Sequence, residues 1–482
     1  MPLKKFVAAI ELGSTNITGI AGLRNPDGSI TVNALVKEDS TSGIRKGVVY
    51  NIDKTALCIK KVIDRLKTTI KTDISQIYVG VGGQSIYSTV NTMPMSFPES
   101  TSVTQEMINK MMDNNRSMQY REQNIVDVIN QEFKVDNQMQ DEPAGIECTQ
   151  FEGNFLNILQ RKKHANSLYK CFDQAGVKIA ELVLAPTAMA DAVLTDTEKR
   201  SGCILVDLGA ETTTIMVYYK SKLRFLAVVP LGGNNITKDI ASLQMEESDA
   251  EKMKLKHASA FTERCDITDD SYRIDNDRNV ESKKFIEIVE ARVQEIVMNV
   301  WYLIPSEFND KLVGGMILTG GGANLKNIET AFRNVCTSIQ KIRIAKSVNF
   351  KVTSANAEAT AHDCMKNTIL GILAKGECNC AGESVKSVPD LFPEDNNAPQ
   401  TATGGVQKPQ TGQEASPVNQ KLHLESKVAE PKPQPNPKPV EPDPKPVEPD
   451  PKPRKEPKHK KNGFMQKLKT SFIAIFEPED EE

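Results

Sequence analysis

The sequence predicts an α/β chain built around a repeated unit, and three observations carry that reading. Strand-like apolar runs (FVAAIEL, ITGIAGL, GCILVDL, TIMVYY, GGMILTG) alternate with helical stretches at 53–70, 164–176, 235–255 and 281–303. Two of these runs end in matching turns, one in each half of the chain. Near Gly376 the composition breaks, and Pro, Lys, Glu, Gln and Asn dominate the residues that follow.

Composition narrows the function classes. Hydrophobic residues make up 39% of the 482 and charged residues 26%, so a real core is expected together with a polar segment. The formal charge of -3 provides no basic field for nucleic acid. The nine cysteines form no C-x-x-C pair and fit a reduced cytoplasm; Cys378-Asn379-Cys380 reads as a chance pair in a loop. Five unclustered histidines leave zinc chemistry and Ser-His-Asp catalysis with little support. No signal pattern opens the chain, and no apolar run reaches the ~18 residues of a membrane span.

The turns come next. Residues 6–20 read FVAAIELGSTNITGI and residues 202–216 read GCILVDLGAETTTIM. Each has an apolar strand, a carboxylate (Glu11, Asp207), Leu-Gly, a small polar turn and a second β-branched strand. Glycine in such a turn lets backbone N–H groups face a phosphate, and Ser and Thr hydroxyls add donors. A carboxylate at each strand end can hold Mg²⁺ through water, because Mg²⁺ keeps much of its hydration shell. One hairpin alone is an ordinary turn; the pair at matched register predicts two halves clamping a triphosphate. A third element, LTGGGANLKNI (318–328), offers a glycine loop for close approach of a flat ligand. No G-x-x-x-x-G-K-[ST] occurs, which excludes the P-loop class.

Taken together these elements resemble the actin-like ATPase superfamily, with its duplicated ribonuclease H-like fold. Several further stretches resemble the FtsA family within it: GVVYNIDKT (47–55), VGVGGQSI (79–86), VINQEFKVDNQ (128–138), LVLAPTAMADAVL (182–194), LGGNNITKDIA (231–241), EIVEARVQEI (287–296) and ILTGGGANL (317–325). The likeness spans about residues 6–375. It implies ATP and Mg²⁺ as ligands, with Glu11 and Asp207 holding the metal through water. Gly13, Ser14, Thr15 and Asn16 would hold phosphates, as would Asp207, Gly209, Thr212 and Thr213. Gly232, Gly233 and Asn234 would lie near sugar and phosphates, Glu251 and Lys254 would reach ribose and adenine, and Gly320, Gly321, Gly322 and Ala323 would flank the base. The resemblance further implies self-assembly into protofilaments, recruitment of later division proteins and binding of the C-terminal peptide of the tubulin-like protein FtsZ. Arg292 and Glu295, three apart on one helix face, would carry that last contact.

Three departures bear on chemistry. Glu11 replaces the usual Asp, Ala210-Glu211 replaces the common Gly-Gly, and Ala185 stands where DnaK-type chaperones have a Glu that can orient water. At most a slow ATPase is therefore expected. Other actin-fold readings are a small-molecule kinase, a DnaK-like chaperone and a pilus-assembly ATPase. The first lacks a spare Asp base, and the second lacks a β-rich domain after residue 376. The third would normally lack the long linker and terminal helix.

The expected layout follows. Residues 1–86 with 163–200 form the first half, and 87–162 an inserted small subdomain. Residues 201–227 with 306–376 form the second half, with a second small subdomain at 228–305. A disordered Pro-rich linker covers 377–462, where PKPVEPD occurs twice. The segment 463–476 is an amphipathic helix. At ~100° per residue, Phe464, Met465, Leu468, Phe472, Ile475 and Phe476 share an arc of about 120°. Lys467 and Lys469 flank it, and PRKEPKHKK (453–461) adds basic charge, so the helix is suited to lie on an anionic membrane surface. An acidic tail, 477–482, follows.

Overall fold

The computed structural model describes residues 5–266, 270–274 and 278–381. The linker from residue 382 on, the helix expected at 463–476 with its apolar residues, and the acidic end at 477–482 lie outside the described residues.

Apolar β-branched runs separated by short turns build a meander. Strands Lys5–Leu12, Asn16–Arg24 and Ile30–Asp39 pair antiparallel. Gln76–Val81 joins Lys5–Leu12 in parallel, and Lys178–Leu184 continues that edge. Val352–Ser354 adds the opposite edge, completing six strands. The second half repeats the plan with five strands. Cys203–Leu208, Thr213–Tyr219 and Lys222–Val229 form the antiparallel meander, and Gly315–Thr319 and Ile342–Ile344 extend it in parallel. The duplication thus extends from the two turns to the whole sheets.

Parallel neighbours need a crossover, which helix Ile52–Ile70 supplies in the first half. Asn51 caps it by accepting from the Lys54 amide at 3.0 Å. Ile59, Val62, Ile63 and Leu66 are buried at helical spacing, each worth ~1.5–3 kcal/mol of apolar burial. The helix stops where Lys71 turns left-handed.

Between the strands Gln76–Val81 and Lys178–Leu184 the chain builds a separate small subdomain. Its sheet has the order Tyr87–Ser102, Glu147–Arg161, Gln123–Val135, Gln138–Gln140. Helix Gln105–Arg116 accompanies it, and its own core includes Met111, Phe133, Phe151 and Phe155. This sheet meets the strand Lys222–Val229 of the second half in a polar seam. Leu226 donates its amide to Ser88 Oγ at 2.8 Å, and the Ser88 hydroxyl donates back to the Leu226 carbonyl at 3.1 Å. Lys222 reaches the Gln131 carbonyl at 2.5 Å.

Two differences from the sequence reading stand out. The single helix expected over 235–255 is two helices, Gly233–Ala241 and Glu247–His257. The break falls where Gln244 adopts a left-handed backbone and Met245 folds inward. The linker was expected from 377, but residues 377–381 remain part of the body. Cys380 donates its amide to the Phe6 carbonyl at 2.9 Å and accepts from Ser75 at 3.0 Å. Tyr78 Oη accepts from the Glu377 and Cys378 amides at 2.9 and 2.8 Å.

Candidate functional site

The two carboxylate-Leu-Gly turns have one geometry. Leu12 pairs with Ile17 and Glu11 with Thr18; Leu208 pairs with Thr213 and Asp207 with Thr214. Gly13 donates to the Asn16 carbonyl at 3.1 Å, and Gly209 to the Thr212 carbonyl at 2.9 Å. Among the described residues the amides of Ser14, Thr15, Ala210, Glu211 and Thr212 have no protein acceptor. Such runs of outward amides bind anions. The Thr15 hydroxyl is also buried without a partner, a cost the fold carries unless a ligand meets it.

Both carboxylates are half-buried at the strand ends. Burial first, and the Asp207 charge second, push Glu11 up to about 8. Burial pushes Asp207 up to about 6. The Asp207 charge is among the causes that raise Glu11, so a cation bound beside the carboxylates would favour their ionised forms. No group of three or more His, Cys, Asp or Glu is gathered as a metal site among the described residues. A set of two carboxylates beside an anion-binding pair of turns suits Mg²⁺, which takes few protein ligands and completes its shell with water and phosphate oxygens. The residues present therefore fit a magnesium nucleotide.

The late glycine loop sits directly on this centre. Gly320 has φ +83°, and a Cβ there would stand 2.3 Å from Asp207 Oδ1. Gly322 crowds Leu208, and buried Ala323 follows in the short turn Gly321–Asn324. Gly232 presses equally hard on the second turn, where a Cβ would lie 2.6 Å from the Gly209 carbonyl. The neighbouring amides are committed to protein: Gly233 donates to Gly209 at 2.9 Å and Asn234 to Ala210 at 2.7 Å. This segment braces the second turn instead of presenting its amides to a ligand. The Thr213 hydroxyl is likewise committed, to the Leu231 carbonyl at 2.9 Å.

Glu251 and Lys254 come together over helix Gly233–Ala241. Lys254 Nζ lies 2.6 Å from Glu251, 2.8 Å from Thr237 Oγ1 and 3.2 Å from the Gly233 carbonyl. The break at 242–246 turns the second helix back so that this cluster forms. Thr237 was not singled out in the sequence, although it stands one helical turn after Gly233. Lys46 was missed, and Gly47 was read only as the start of GVVYNIDKT. Gly47 donates to Ser14 Oγ at 2.8 Å, and Lys46 donates to Glu211 Oε2 at 2.7 Å. This strap therefore touches both turns. Ala185 packs near Gly80 and Gly82, and Gly80 pairs with Glu11, so an apolar methyl occupies that side of the centre.

Arg292 and Glu295 lie on helix Ser282–Leu303. Arg292 Nε meets Asp239 Oδ2 at 2.5 Å and Arg292 Nη2 meets Asp239 Oδ1 at 3.0 Å, and Arg292 also pairs with Glu295. The Asp239 contacts raise the guanidinium pKa further.

Two repeated sheets with paired phosphate-type turns define an actin-like protein. Comparison narrows that class. The model for Cell division protein FtsA matches residues 204–366, and the model for the SHS2 domain inserted in FtsA matches residues 83–159. The second match falls on the small subdomain. A Cell division protein FtsA from Porphyromonas gingivalis is 28% identical over 352 residues, covering 71% of this chain and 73% of the relative. That from Escherichia coli K12 is 26% identical over 400 residues, covering 79% and 93%. Among solved structures, the PilM-PilN type IV pilus biogenesis complex superposes with a TM-score of 0.53 at 15% identity, over 76% of this chain and 97% of that one; this likeness is one of fold. The chain belongs to the FtsA family of cell-division proteins.

Proposed function

We propose that the chain binds ATP with Mg²⁺ between its two turns and anchors FtsZ filaments to the cytoplasmic face of the cell membrane as a peripheral protein. The observation that carries the nucleotide reading is the set of matched turns with unpartnered amides beside the Glu11–Asp207 pair. When bound, the metal would screen those carboxylates and the phosphate charge. The protein's own groups would do the rest: turn amides and the Thr15 hydroxyl would hold phosphates, and the Lys254–Thr237–Glu251 cluster would meet the sugar and base. The methyl of Ala185 offers no group to orient an attacking water, so hydrolysis is slow and the nucleotide acts as an assembly ligand for protofilaments. Family membership and the sequence of 463–476 support the anchoring role, with the FtsZ tail at the helix carrying Arg292 and Glu295. Later division proteins would join the same assembly.

The test is reconstitution. Full-length chain should carry FtsZ filaments to anionic vesicles in sedimentation, and removal of 463–476 should abolish the transfer while leaving FtsZ binding in solution intact. FtsZ pelleting equally well with the truncated chain would sink the anchoring role.

A further inference from the structure

The strap Lys46–Gly47 lies between the two turns and is bonded to each, but in unlike ways. To the first turn it donates to a neutral hydroxyl, Ser14 Oγ, at 2.8 Å. To the second it donates to an anion, Glu211 Oε2, at 2.7 Å. The Lys46 carbonyl is itself fixed by the Gln84 amide at 3.0 Å, so the strap belongs firmly to the first half. The contact joins residues 165 positions apart and ties the first half to the second turn.

A triphosphate held between two facing turns does the same job. Its terminal phosphate offers anionic oxygens to amides on both sides and so ties the halves together. Here a carboxylate on one half already offers an anionic oxygen to an amide on the other. Charge points the same way. The first turn has neutral Asn16, no cationic side chain stands in either turn, and Glu11 and Asp207 already place two carboxylates in the centre. A terminal phosphate would add its charge beside Glu211; a diphosphate would not.

We infer that Glu211 stands in for the terminal phosphate, so that the cleft accepts a nucleoside diphosphate at least as readily as a triphosphate and closes without the third phosphate. The inference rests on the nucleotide reading above and refines it.

The experiment measures binding of ADP and of a non-hydrolysable ATP analogue, both with Mg²⁺, to the full chain and to its Glu211→Gln and Glu211→Gly variants. Gln keeps the shape and loses the charge, so its folding is protected; a melting curve checks each variant. The parent should bind ADP as tightly as the analogue or more so. Both variants should shift the ratio toward the triphosphate by about tenfold, the scale of one near unit charge in a partly screened cleft. A ratio unchanged within about twofold, with both nucleotides still bound, overturns the role of Glu211 alone. If neither nucleotide binds the parent or the variants, the nucleotide reading fails and this inference fails with it.

Discussion

Arg224 grips Glu132 with both arms of its guanidinium, at 2.5 and 2.6 Å, across the seam between the second half and the inserted subdomain. Arg224 is only 8% exposed and Glu132 15%. Gln131 accepts a further bond from Arg224 at 3.0 Å, and the Arg224 contacts are the leading cause that holds Glu132 below the usual carboxylate range. Removing Arg224 leaves the largely buried Glu132 with only the longer Lys220 contact at 3.8 Å. Arg224→Ala should cost on the order of 3 kcal/mol in denaturant unfolding. Combined with Glu132→Gln in a double-mutant cycle, the coupling should exceed ~1 kcal/mol. Additive losses would mean the pair is not the joint.

Glu11 predicts a pH dependence. Its folded pKa is raised to about 8 from an unperturbed 4.5. A raised carboxyl favours the folded state below the unfolded pKa and loses that contribution as pH climbs through the folded one. Stability of the ligand-free chain should therefore fall between about pH 4.5 and pH 8 from this residue, and Asp207 adds the same trend between 3.8 and about 6. Glu11→Gln should flatten melting temperature against pH between 6 and 8, by on the order of 2 kcal/mol at the alkaline end. Added Mg²⁺ should stabilise the parent more at pH 8 than at pH 6. A parent whose melting temperature is flat over that range would contradict the raised pKa.

Arg292 is doubly employed, held by Asp239 while touching Glu295. Arg292→Glu should weaken binding of the FtsZ C-terminal peptide at least tenfold, read by fluorescence anisotropy, and should also lower stability by ~1–3 kcal/mol because Asp239 loses its partner. Glu295→Ala leaves the Asp239 contact standing and separates the two effects. Unchanged peptide affinity in both variants would move the peptide site elsewhere.

For the terminal segment, Leu468→Glu and Phe472→Glu should each abolish pelleting with anionic vesicles. A single interfacial helix binds marginally, because partial burial of its apolar face competes with ordering of about 1 kcal/mol per residue. Conditions that promote filaments should thus raise vesicle binding of the parent through avidity. Variants that pellet like the parent would exclude this segment as the tether.

What the sequence made legible was local. The turns at Gly13 and Gly209 show in the text because carboxylate, Leu, Gly and a β-branched strand follow one another within a few residues. Strand alternation likewise betrays the two meanders. The strap was not legible, since nothing near Lys46 signals a bond to Glu211, 165 positions away. The fold of helix 247–257 back over Thr237 was hidden too. Ser242 and Gln244 are weak breakers, and tertiary packing of Met245 decides the bend. Nor does spacing alone reveal that the Gly233 and Asn234 amides face the second turn. That depends on the close approach of Gly232 to Gly209 and Ala210, which only the folded second half displays.

The five residues from Glu377 to Ala381 have a mechanical meaning. They are laid against Phe6, Ser75 and Tyr78 by several hydrogen bonds, and buried Cys380 sits among them. Any tension on the chain beyond Ala381 enters the body there, at the root of the strand Lys5–Leu12. The far end of that same strand carries Glu11 and the first turn. A pull is thus loaded onto a central strand bonded on both sides, where many bonds must fail together before the strand can slip. The first sheet is the load path, and the first carboxylate-Leu-Gly turn lies at the far end of the strand that takes the load.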